Sequence, residues 1–118
     1  LVRDLTGSYL TCSTSEFVPG ETATWTFTVY NGSNDDEWLR DVSIDFPEGV
    51  IVNSSTNFVG GTGGELVSDG LTGNGIQLQW IDDNGNYGNI YPDESANAEV
   101  SVTVEANFSG DVTLNYTI

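Results

Sequence analysis

Thr22-Ala23-Thr24-Trp25-Thr26-Phe27-Thr28-Val29-Tyr30 alternates at every step. In an extended chain Ala23, Trp25, Phe27 and Val29 fall on one side, and the four threonines and Tyr30 on the other. A period of two is the mark of a strand with one dry face and one wet face. Threonine suits the wet face because its branched Cβ favours extended backbone while its hydroxyl stays hydrated. Burying Trp25, Phe27 and Val29 contributes roughly 5–9 kcal/mol in total. That gain requires a second apolar layer facing the strand, so this stretch alone predicts sheet packed on sheet.

The same period recurs outward from it. Val42, Ile44 and Phe46 alternate with polar residues, as do Ile76, Leu78 and Trp80. Ala96 to Glu105 form a second long run with Ala96, Ala98, Val100, Val102 and Val104 on one face, and Val112, Leu114, Tyr116 and Ile118 alternate after it. Turn chemistry separates the runs: Val18-Pro19-Gly20-Glu21, Asn31-Gly32, Pro47-Glu48-Gly49, Tyr91-Pro92-Asp93-Glu94 and Asn107-Phe108-Ser109-Gly110. No 3.6-residue period persists. The reading is an all-β chain, an immunoglobulin-like β-sandwich of seven to eight antiparallel strands. Its expected core is Trp25, Phe27, Val29, Val42, Ile44, Phe46, Leu78, Trp80, Val100, Val102 and Leu114. Residues 16–118 form the sandwich. Residues 1–15 are an N-terminal arm and first strand that a neighbouring copy could receive by β-augmentation. Residues 54–74, rich in Ser, Thr, Asn and Gly, read as a loop pinned to the core by short strand fragments at Phe58-Val59 and Leu66-Val67.

Charge narrows function. The 118 residues carry 18 Asp and Glu against two Arg, with no Lys and no His, a formal charge of −16. Such a surface repels phosphate backbones and anionic headgroups, so nucleic acid is not an expected partner. No apolar run is long enough for a membrane-spanning helix, so membrane insertion is not expected either. Without His or Lys, Ser-His triads, Schiff bases and imidazole metal sites cannot be built. Cys12 has no activating base and reads as a small buried apolar residue. The expectation is a protein that is not an enzyme. The abrupt start at Leu1 suggests a processed protein or part of a longer one.

What hard oxygen ligands can do is hold a cation. Asp82, Asp83, Asn84, Asn86 and Asp93 form a candidate calcium set, four of them at the ligand offsets of an EF-hand loop. Tyr87 stands where that loop requires glycine, so an EF-hand proper is rejected, and solvated turn residues are the plain alternative. No other cofactor is expected. Trp38, Tyr87 and Tyr91 are candidate ligand-binding aromatics that could stack on a glycan. Asn31, Asn53, Asn107 and Asn115 each open an N-glycosylation sequon.

Pro19-Gly20-Glu21-Thr22, the strand ending Val29-Tyr30-Asn31, Asp41-Val42, Phe46-Pro47-Glu48-Gly49-Val50, Pro92-Asp93-Glu94-Ser95-Ala96 and Val100-Ser101-Val102-Thr103-Val104 occur in a familiar order. Over residues 16–118 the chain resembles the DUF11 and CARDB-like immunoglobulin-like repeat domains of bacterial and archaeal cell-surface proteins. The resemblance implies an extracellular, cell-surface stalk, spacer or filament unit. Its partners would be copies of itself or neighbouring domains of the same surface protein, and it brings no catalytic residues. Trp25, the acidic stretch 35–37 and the 54–74 segment depart from the pattern. They leave room for a second expectation, an adhesin or carbohydrate-binding module using loops 54–74 and 82–91.

Overall fold

The computed structural model describes residues 5–14, 16–83 and 88–118, and among them every regular element is a strand. In chain order these are β1 (Tyr9–Cys12), β2 (Thr22–Tyr30), β3 (Asp41–Asp45), β4 (Val50–Ser55), β5 (Phe58–Gly61), β6 (Gly64–Ser68), β7 (Gly73–Asn74), β8 (Gln77–Asp82), β9 (Ser95–Val104) and β10 (Asn115–Thr117). The fold is an all-β sandwich whose two antiparallel sheets nearly close into a barrel.

The spine is the pair β2–β9, in unbroken register from Thr22 opposite Thr103 to Tyr30 opposite Ser95. These are the two longest alternating runs, so each offers the other the largest dry face and the longest ladder. β1 flanks β2, and β4 flanks β9 with β7 on its far side. The facing sheet runs β6-β8-β3-β10.

The segment 54–74 corrects the sequence reading. The strand fragments expected at Phe58-Val59 and Leu66-Val67 are there and extend into β5 and β6, but the end of β4 and the short β7 make the segment more regular than a loop, which brings the strand count to ten instead of seven or eight. Phe58 and Leu66 are both fully buried and lie opposite each other. Val59 pairs with Asn97 on β9 while the rest of β5 pairs with β6, so this hairpin carries the chain from one sheet to the other. Gly60 makes the crossing possible. Its φ is +140°, and a Cβ there would lie 2.6 Å from the carbonyl oxygen of Ser95. Glycine is the residue for such an approach, but in the sequence it looks the same as loop glycine.

The core holds Trp25, Phe27, Val29, Val42, Ile44, Phe46, Leu78, Trp80, Val100 and Val102, all buried, as the alternation requires. Phe27 meets Phe46 edge-on with ring centres 6.3 Å apart, and Phe58 meets Trp80 at 4.9 Å. Trp80 Nε1 donates to the Thr56 carbonyl at 2.8 Å, so the indole is packed without leaving its donor unpaired. Leu114 departs from expectation. It packs against the core but is only half-buried, because among the described residues no strand covers the outer side of the segment leading into β10. Leu39 and Ile90, fully buried, were not legible in the polar segments around them; they pair in an isolated bridge.

Residues 5–14 sit in their own sandwich. β1 pairs with its own β2, and Leu10 and Cys12 pack on the same chain's core.

Candidate functional site

The fully buried asparagines Asn31 and Asn89 lie at one end of the sandwich, where the β2–β3, β5–β6 and β8–β9 connections meet. Asn31 is the hub. Read as a turn residue, it is fully buried. Its Nδ2 donates to the carbonyls of Glu37 and Ile90, each at 2.9 Å, and its Oδ1 accepts from the Ser33 amide at 2.9 Å. Its backbone donates to the Glu94 carbonyl and accepts from the Asp93 amide. One side chain and one peptide thus tie the β2–β3 connection to the β8–β9 connection. Because both Nδ2 hydrogens are engaged inside the protein, the sequon at Asn31 is closed to glycosylation in the folded chain. Asn53, Asn107 and Asn115 are exposed.

Glu94 makes a second tie. Its carboxylate accepts from the backbone amides of Thr62 at 3.0 Å and Tyr91 at 2.8 Å, and also from the Thr62 hydroxyl. Burial pushes the carboxyl pKa up, but these hydrogen bonds to the charged form outweigh it and hold the pKa below the usual glutamate value.

Of the candidate metal ligands, Asp82, Asp83 and Asp93 lie among the described residues and do not by themselves converge. Asp93 has a positive φ of 68°, and its Oδ1 accepts from the Tyr30 hydroxyl at 3.0 Å. Asp83 Oδ1 accepts from Asn89 Nδ2 at 2.9 Å. Asn84 and Asn86 lie outside the described residues. Among the described residues no group of three or more acidic, His or Cys side chains converges to hold a metal. The structure adds Asn89, fully buried, whose Nδ2 also donates to the Glu65 carbonyl at 2.9 Å. Among the described residues, Asn89 Oδ1 and Asp82 Oδ2 are buried acceptors without a donor.

Of the candidate ligand-binding aromatics, Tyr87 lies outside the described residues. Trp38 and Tyr91 are brought together, ring centres 4.4 Å apart and planes tilted by 31°. Both are half-buried rather than freely exposed. One face of each ring is turned toward the other. No signal in the spacing of residues 38 and 91 announces that pairing; it follows from the Leu39–Ile90 bridge next to it.

Cys12 is half-buried at the sandwich's other margin. Burial pushes its thiol pKa up, and a hydrogen bond with the Thr14 backbone opposes this only in part, so it has no nucleophile's poise.

No family model matches the chain, and neither a curated protein nor a solved structure matches it.

Proposed function

We propose that this chain is a non-enzymatic structural module of the cell exterior, a stalk, spacer or filament unit of a surface protein, akin to the DUF11 and CARDB-like repeats. One observation carries the reading: the wet faces use their polar groups on one another instead of turning them toward a cleft. The Thr22 and Thr103 hydroxyls bond at 2.6 Å, Thr28 donates to Asn97 at 2.5 Å, Asn53 to Thr103 at 2.9 Å and Gln77 to Asp45 at 2.8 Å. Such cross-strand pairs stiffen a sheet and present little to a ligand. An elongated body, 46 × 24 × 21 Å, suits a spacer. The charge of −16 keeps such a surface soluble and separate from its like.

The second reading, an adhesin or glycan-binding module, is favoured by the Trp38–Tyr91 pair alone. A glycan array separates the two. The structural reading expects no saturable signal; a signal that disappears in Tyr91→Ala would establish the other. Calcium would enter either reading through the expected set Asp82, Asp83, Asn84, Asn86 and Asp93, and a melting temperature unchanged by chelator removes it.

A further inference from the structure

The sandwich is closed on one side by β5 and open on the other. The strand path ends at β1 in one sheet and β10 in the other, and among the described residues neither pairs on its outer side. An exposed edge is a row of unpaired N–H and C=O groups.

Both edges carry an inward face that the described residues cover only in part. Leu10 lies opposite Val29 and Cys12 opposite Phe27, so both point toward the core, yet both are only half-buried. Across the seam Tyr116 lies opposite the fully buried Ile44, so it too is on the inward side, yet it is 45% exposed. Leu114 and Val112 continue that face and are half-buried. Between the end of β1 with the chain that follows it and the segment 111–114 that leads into β10 lies a groove of about 380 Å³, lined by Cys12, Thr14, Phe17, Trp25, Val112 and Leu114, with exposed Glu16 and Asp111 at its rim.

We propose that this seam takes one added β-strand from a partner chain, running antiparallel to β10, apolar at alternate residues and carrying Lys or Arg at its ends. Backbone edges on both sides ask for a strand rather than a compact ligand, because only extended backbone meets a ladder of donors and acceptors. Alternate apolar residues fit the floor, since one face of the strand would point inward and the other to water. β1 and β10 run in opposite directions around the strand path, so an inserted strand is antiparallel to one of them alone. Choosing β10 continues the all-antiparallel order of its sheet. Charge selects the partner. A second copy would bring another −16 to an acidic rim, whereas basic ends complement Glu16 and Asp111. The inference holds whether the module is a spacer or an adhesin.

Cys12 is the chain's single cysteine and lies on the groove floor, so it reports occupancy. The test adds a short synthetic peptide, alternating valine and threonine with lysine at both ends, to the full chain. Saturable binding is expected, with several-fold slower modification of Cys12 by a thiol reagent and slower exchange of amides on the free side of β10. Val112→Glu should abolish these effects while leaving the circular dichroism of the fold unchanged. A peptide with central prolines should not bind, and one with glutamate ends should bind far more weakly. The proposal is overturned if the lysine-ended peptide does not saturate, if the proline peptide binds equally, or if Val112→Glu binds as the parent does. It is also overturned if the chain alone self-associates in a way that shields Cys12, which would make a second copy the occupant.

Discussion

Replacing Asn31 with Ala removes a side chain that links two connections and sits far from solvent. Three well-formed hydrogen bonds are lost, two donated by Nδ2 to the Glu37 and Ile90 carbonyls and one accepted from the Ser33 amide, together with a long one of 3.5 Å accepted from the Ser8 hydroxyl. The Ile90 carbonyl keeps the bond from the Leu39 amide, so it is not stranded. At about 0.5–1.5 kcal/mol net for each bond, the expected loss is about 2–4 kcal/mol. For a chain of this size that lowers the melting temperature on the order of 10 °C. Urea unfolding followed by tryptophan fluorescence measures it, with Asn107→Ala, an exposed asparagine, as the control expected to stay within about 0.5 kcal/mol. Asn31→Asp sharpens the test. It keeps the shape but turns an oxygen toward two carbonyl oxygens, so at neutral pH it should cost more than alanine, and its penalty should shrink as acid restores a proton. If Asn31→Ala matches the Asn107 control, or Asp is tolerated at neutral pH, the buried-hub argument fails.

Other consequences follow from the same geometry. Trp80→Ala deletes a buried indole, its bond to Thr56 and its edge contact with Phe58, and should cost about 3–5 kcal/mol in the same urea assay; a loss near that of a surface substitution would show that the two sheets do not share this core. The Glu94 pKa is lower in the folded chain than in the unfolded one. Its contribution is therefore full above the ordinary glutamate range and is lost as pH falls through the lowered folded value. The stability gap between the parent and Glu94→Gln, about 1 kcal/mol at neutral pH after allowing for solvent screening, should close in acid, and a gap independent of pH would refute the assignment. Free Cys12, its thiol pKa raised by burial, should react with a disulfide reagent more slowly at neutral pH than cysteine in an unfolded peptide; equal rates would mean that the seam leaves it fully in solvent.

How much of this could be read from the chain depends on distance along it. Alternation is a local property, so Thr22–Tyr30 and Ala96 to Glu105 declared themselves as strands, and the observed β2 and β9 match those runs to within a residue. The direction in which Trp25, Phe27 and Val100 point followed from parity alone. The core was therefore legible along β2, β3, β8 and β9, but not along the last alternating run, where Leu114 is half-buried and Tyr116 is exposed. The polar hub was not. Asn31, Asn89 and Glu94 look like turn residues, and their roles depend on partners such as Ile90, Glu65 and Thr62 that only the fold brings near.

Sequence by itself determined the strand period, the sidedness of each strand, the acidic exterior and the absence of imidazole and amine chemistry, because each belongs to single residues or to near neighbours. Tertiary structure alone decided which strands lie side by side, that β5 crosses between sheets to close one side, and that β1 and β10 stop short of closing the other. The reason is that strand pairing joins residues far apart in the chain through backbone groups that every residue shares, so no side-chain pattern records which edge will be left without a neighbour.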